Sequence, residues 1–112
     1  MLISQEIHDD IVKGFTLGNS ELISPHTAEI VELILPDYEG SLSKDMTNKK
    51  LNAFFIESKI SSFEVVHKGS TSAESNYIIG ELVNENGKFS VYALYAGNDI
   101  KRITEIRIES DE

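Results

Sequence analysis

Apolar residues recur along this chain with two different periods, and the change from one to the other divides the sequence. From Ser4 to Gly18, Ile7, Ile11, Val12 and Phe15 fall at the spacing that gathers side chains on one face of an α-helix. Ser4 is placed to cap the start of that helix, and Gly18-Asn19 to end it in a left-handed turn. Ser20-Glu21-Leu22-Ile23 reads as a short helical turn that ends by Pro25, because the residue before a proline is pushed out of the helical region. Ala28 to Leu35 reads as a strand: Ile30, Val31, Leu33, Ile34 and Leu35 are mostly branched, and Pro36-Asp37 stops the run. Its near-continuous apolarity predicts burial on both faces. Asp37 to Leu42 reads as a turn before a further helix, capped by Ser43, with Met46, Leu51, Phe54 and Phe55 on its buried side and its end near Ser58-Lys59.

Beyond Ile60 the period drops to about 2. Phe63, Val65 and His67 alternate with Glu64, Val66 and Lys68, and Gly69-Ser70-Thr71-Ser72 reads as the loop that follows. Residues 77–83 and 89–95 flank Asn84-Glu85-Asn86-Gly87-Lys88, where Asn-Gly supplies the positive φ angles of a tight hairpin. After Ala96-Gly97-Asn98-Asp99, a last strand from Ile100 to Glu109 puts Ile106 and Ile108 on one face and Glu105, Arg107 and Glu109 on the other. Four sequential strands of this kind make a meander. Most of the strand follows the helices, which favours an α+β architecture over a parallel βαβ repeat. The mostly antiparallel sheet must curl around the helices to bury Ile7, Ile11, Phe15, Leu51, Phe54 and Phe55, and Gly80 in mid-strand is the expected place of a bulge or bend. No internal repeat or linker interrupts residues 1–112, and a single domain accounts for them.

Composition narrows the function classes. Ten Lys and Arg against 19 Asp and Glu give a net charge of −9, which repels a phosphate backbone and argues against nucleic-acid binding. The same acidity keeps a small domain dissolved or, less simply, offers an acidic partner-binding patch, and the tail Glu109-Ser110-Asp111-Glu112 reads as solvated. Without cysteine there is no disulfide, thiol nucleophile or thiolate metal site. Ile30-Val31 and Leu33-Ile34-Leu35 fall far short of the ~20 apolar residues that span a bilayer. Met1-Leu2-Ile3-Ser4-Gln5-Glu6 shows no basic, then apolar, export signal, so the expected address is cytoplasmic, or exported with a leader removed.

Candidate chemistry is sparse. Strand alternation sets His67 beside Phe63 and Val65, where a desolvated imidazole acts as a base near neutral pH; at a strand end next to Lys68-Gly69 it reads more simply as a satisfied or half-exposed structural histidine. Glu32, inside an apolar strand, is either a buried general acid or base or an exposed edge residue opposite Val31 and Leu33. Arg107 can hold a ligand carboxylate or phosphate, or pair across strands with an acidic neighbour. Tyr77, Tyr92 and Tyr95 can line a pocket, pack in the core or cover a partner surface. His8 lies beside Asp9 and Asp10 near the helix face opposite Ile7 and Ile11. Neither it nor His26 has a second ligand at metal-site spacing, and no cofactor or metal is expected.

An ordered set of segments carries a resemblance: Ile11-Val12-Lys13-Gly14-Phe15 with Gly18-Asn19, Val31-Glu32-Leu33 with Leu35-Pro36 and Glu39-Gly40, Phe54-Phe55, His67-Lys68-Gly69-Ser70, Asn86-Gly87 and Arg107-Ile108-Glu109. Together they resemble the bacterial domain of unknown function 4783 family, from about Ile7 to Glu109. That resemblance implies a nuclear transport factor 2-like cone and, since members are usually made with an export leader, a processed exported protein. The wider fold includes ketosteroid isomerase and non-catalytic modules, and no catalytic aspartate-and-tyrosine set of its enzymes aligns here. The expectation is therefore a non-catalytic module binding a small apolar ligand or a protein partner. The alternative is a cofactor-independent isomerase or dehydratase, with His67, Glu32, Tyr77, Tyr92 and Arg107 around a pocket in the cone. Branched and aromatic residues on both strand faces also fit a homodimer with its sheets packed together.

Overall fold

In the computed structural model, residues 3–57 and 59–111 are described, the side chains of residues 3–5 excepted. The Ser4 side-chain cap, Ser58 and Glu112 of the acidic tail therefore lie outside the described residues. Helix α1, Ile3–Leu17, buries Ile7, Ile11 and Phe15, as the spacing required. It stops at Gly18, whose φ of 66° lets the Asn19 N–H turn back to the Gly14 carbonyl at 2.8 Å and the Gly18 N–H to that of Phe15 at 3.4 Å.

Two single 3₁₀ turns follow, Ser20–Leu22 and Ser24–His26. Pro25 sits inside the second turn rather than bounding the first, at its start, where a missing N–H leaves no helical bond unmade. His26 Nε2 meets Asp10 Oδ2 at 2.6 Å and ties this turn back to α1.

Strand β1, Thr27–Leu35, is buried on one face only. Val31, Leu33 and Leu35 point inward, whereas Ile30 is 62% exposed. The expected burial of both faces fails because helices cover one side of the sheet alone. Residues 38–43, expected as a turn, form strand β2, Tyr38–Ser43, paired antiparallel with β1 around Pro36-Asp37. Its alternation of Tyr38, Gly40 and Leu42 against Glu39, Ser41 and Ser43 was present in the sequence, masked by glycine and serine, which are poor strand formers.

Helix α2, Lys44–Glu57, starts where the Met46 N–H donates to Ser43 Oγ at 3.2 Å. Thr47, Leu51 and Phe55, four residues apart, make its buried stripe. Met46 lies one position off that stripe and is 42% exposed, contrary to expectation.

The remaining strands are β3, Ile60–Ser72; β4, Ser75–Asn84; β5, Gly87–Ala96; and β6, Arg102–Ser110. Residues 69–72, expected as a loop, stay paired with β4 down to Ser72 opposite Ser75. In the β4–β5 hairpin Gly87 alone takes a positive φ, 129°, while Asn84 Oδ1 accepts the Asn86 N–H at 2.7 Å; Asn86 itself is not left-handed. Ile100 precedes β6 and is exposed. Among the described residues six strands run in the order β2-β1-β6-β5-β4-β3, with only β1 and β6 parallel.

Phe15 fills the space between helices and sheet. Its ring stacks on Phe63 at 5.1 Å and meets Phe55 edge-on at 5.6 Å, and Phe54 bridges Phe55 to Phe89. The bend expected at Gly80 is present as a bulge on the facing strand: Val65 pairs with Gly80 and His67 with Ile79, leaving Val66 as the extra residue. A Cβ at Gly80 would overlap the Phe63 ring. Gly80→Ala should therefore cost about 1–3 kcal/mol through overpacking, read by urea unfolding, whereas Met46→Ala stays within about 0.5 kcal/mol.

Candidate functional site

Side chains of paired residues share a face, so the register reads out what the sheet presents to solvent. On the side away from the helices, His67, Ile79, Tyr92, Arg107 and Ile34 form one rung across five strands. Gly69, Tyr77, Leu94, Glu105 and Glu32 form the next. All five candidates from the sequence, His67, Glu32, Tyr77, Tyr92 and Arg107, thus lie together on the outer face rather than inside the cone.

For His67 this corrects the expectation. Strict alternation from Val65 would pair residue 67 with Ile78 on the buried face; the extra residue at Val66 shifts it to Ile79 and turns the imidazole outward. The bulge breaks the alternation on which a shared face with Phe63 and Val65 was based.

The outer side chains touch in sequence. His67 Nε2 lies 3.0 Å from the Tyr77 hydroxyl, and Tyr77 stacks on Tyr92 with ring centres 5.9 Å apart. The Arg107 guanidinium carbon is 5.9 Å from the centre of the Tyr92 ring, at the outer limit of a cation–π contact. Arg107 Nη2 donates to Glu105 Oε2 at 2.8 Å. This pair lies within β6, two residues apart, and not across strands as expected. Glu32 takes its exposed alternative: its Oε1 accepts from Ser41 Oγ on the edge strand at 2.9 Å. Tyr95 is on the opposite, buried face.

The electrostatics follow from these contacts. The hydrogen bond to Glu105 holds Arg107 above its usual range, reinforced by the charges of Glu105 and Glu109 against the opposing effect of burial. Burial first, then the Glu105 carboxylate, raises Tyr92, while Arg107 pulls it back. By register, Glu32, Glu39, Glu64, Glu81, Glu105 and Glu109 on this face outnumber Lys88, Arg102 and Arg107, so the face is acidic with a cationic and aromatic centre. Ile34, Ile79 and Leu94 complete that centre and were overlooked in the sequence. The alternation of Tyr77 and Ile79 with buried Ile78 and Gly80 was the signal that could have found them. Among the described residues no group of three or more His, Asp or Glu side chains could hold a metal ion, and no helix is long and apolar enough to cross a membrane.

Burial also raises Tyr95 above the ordinary 10.0. For Tyr92 and Tyr95 the folded-state value exceeds the unfolded one. The stability they contribute is complete below the unfolded value and is lost as pH rises through the folded values. Urea unfolding across the alkaline range should show that loss, and Tyr95→Phe should reduce it.

The family model described as Domain of unknown function (DUF4783) matches residues 8–109. A DUF4783 family protein from Bacteroides ovatus superposes with a TM-score of 0.88 at 28% identity, covering 96% of this chain and 98% of that one. One from Bacteroides uniformis gives 0.85 at 30% identity, covering 93% and 97%. At the level of fold alone, an uncharacterized protein with a cystatin-like fold from Caulobacter vibrioides gives 0.72 at 10% identity, covering 96% and 86%. No curated protein matches the chain. With its helices on one side of a mixed, mostly antiparallel sheet, this chain has the nuclear transport factor 2-like fold and belongs to the DUF4783 family.

Proposed function

We propose that this domain is a non-catalytic interaction module that binds a basic protein surface through the outer face of its sheet. The observation that carries the reading is the continuous set of contacts from His67 through Tyr77, Tyr92 and Arg107 to Glu105, laid across β3 to β6 on the solvent side. Tyrosine, large with few rotatable bonds, and arginine, with its planar fork of donors, are enriched at the centres of protein interfaces, where they bury large area and still offer hydrogen bonds. Here the sheet holds them rigid before any partner arrives, which lowers the entropy cost of binding.

The interior supports the same reading. Phe15, Phe55 and Phe63 pack in the cone, where the enzyme alternative puts its pocket, and the polar candidates stand outside it. Charge selects the partner. Two copies face to face would bring Glu32, Glu105 and Glu109 of each within a Debye length, about 8 Å, of like charges. A surface rich in Lys and Arg meets the same carboxylates with attraction.

Proteins captured from cell extract by the wild type, purified and titrated calorimetrically, provide the test. Tyr92→Ala should weaken binding of a genuine partner by about 30-fold, the effect of losing about 2 kcal/mol at an interface centre. Raised salt should slow its association. Sedimentation of the free protein should show a monomer; a dimer dissolved by Tyr92→Ala would replace the basic partner with a second copy.

A further inference from the structure

The inner side of the sheet opens at the far end of the β3–β4 hairpin into a cleft of about 370 Å³, flanked by α1. That volume suits a small organic molecule. Lys68 and Ser70 reach it from β3, Asn76 from β4, Tyr95 from β5 and His8 from α1, with Tyr77 at the rim. These residues belong to four elements and were not grouped by any motif in the sequence.

Their chemistry is one-sided. In a chain of net charge −9, none of the side chains lining this cleft is a carboxylate. Asn76 Nδ2 donates to Ser70 Oγ at 3.0 Å, which leaves the serine hydroxyl hydrogen free to turn toward the cleft. Tyr95 is only 5% exposed, and its hydroxyl, which makes no hydrogen bond among the described residues, is not sealed from the cleft. Burial keeps its proton on, so that it remains a donor. Lys68 and His8 likewise have no hydrogen bond or ion pair among the described residues.

We propose that this cleft binds a small organic carboxylate, its charge held by Lys68 and the hydroxyls of Tyr95 and Ser70, and its apolar part resting on the Tyr95 ring. The site is distinct from the protein-binding face proposed above, and the two fail separately, because this one is read with a small probe at different residues. Lys68 is exposed, so Lys68→Met removes the charge without disturbing the core.

The test is titration of the isotopically labelled protein with benzoate, with its neutral isostere benzamide and with inorganic phosphate, followed by amide chemical shifts. Benzoate should saturate with shifts centred on Lys68, Ser70, Asn76 and Tyr95, and bind at least tenfold more tightly than benzamide or phosphate. Lys68→Met and Tyr95→Phe should each weaken it severalfold or more. No saturation by about 10 mM, where affinity has fallen below any specific interaction, would overturn the proposal. Equal binding of benzamide, equal binding of phosphate, or no loss in Lys68→Met would overturn it as well, as would shifts centred on Tyr92 and Arg107.

Discussion

A single extra residue, Val66, in the bulge of β3 opposite Gly80, decides what this fold has inside and what it shows outside. Gly80 leaves room where a side chain would stand, and the Phe63 ring takes it. From there Phe63 stacks on Phe15, which meets Phe55, and the space between helices and sheet is filled around these rings. The same insertion reverses the alternation of β3, so that His67 leaves the buried face and reaches the Tyr77 hydroxyl. Filling the cone and moving the histidine out of it are thus two consequences of one local geometry. A regular strand would have placed residue 67 on the inner face, beside the aromatic cluster.

The sequence was informative where one physical rule acted alone. Helical spacing located α1 and the buried residues Leu51 and Phe55 of α2, and the positive φ of Gly18 ended α1 where the Gly-Asn pair indicated. Period-2 patterning found β4, β5 and β6, because each has one covered face. It missed β2, an edge strand whose Gly40 and Ser41 resemble a turn, and it cut β3 short at residues 69–72, where Gly69 and Ser70 resemble a loop. In both cases pairing with a neighbour overrode weak local preference. At Gly69 and Gly40 a tyrosine ring, Tyr77 or Tyr38, lies over the glycine and supplies the contact its own side chain cannot.

The candidate residues show the same division. Their types were legible, since histidine, arginine and tyrosine among branched residues stand out in any strand. Their common face was not, because it depends on a bulge and on the pairing of strands far apart in the chain: Glu32 comes beside Glu105, and Ile34 beside Arg107, only through the parallel pairing of β1 with β6. The exposed alternative for Glu32 followed from its place between Val31 and Leu33, both buried in the structure. The cleft at His8, Lys68 and Tyr95 had no sequence signature, as it joins a helix to three strands. Fold membership adds no chemistry to these placements; sites on this architecture are set by the side chains each chain displays.

The side of the sheet on which His67 stands is the point on which this account turns. Nuclear Overhauser contacts from the His67 ring protons measure it directly in solution. The account predicts contacts to the Tyr77 ring and to Ile79, and none to Phe15 or Phe63. Contacts to Phe15 or Phe63 would contradict it, by placing the imidazole within the cone.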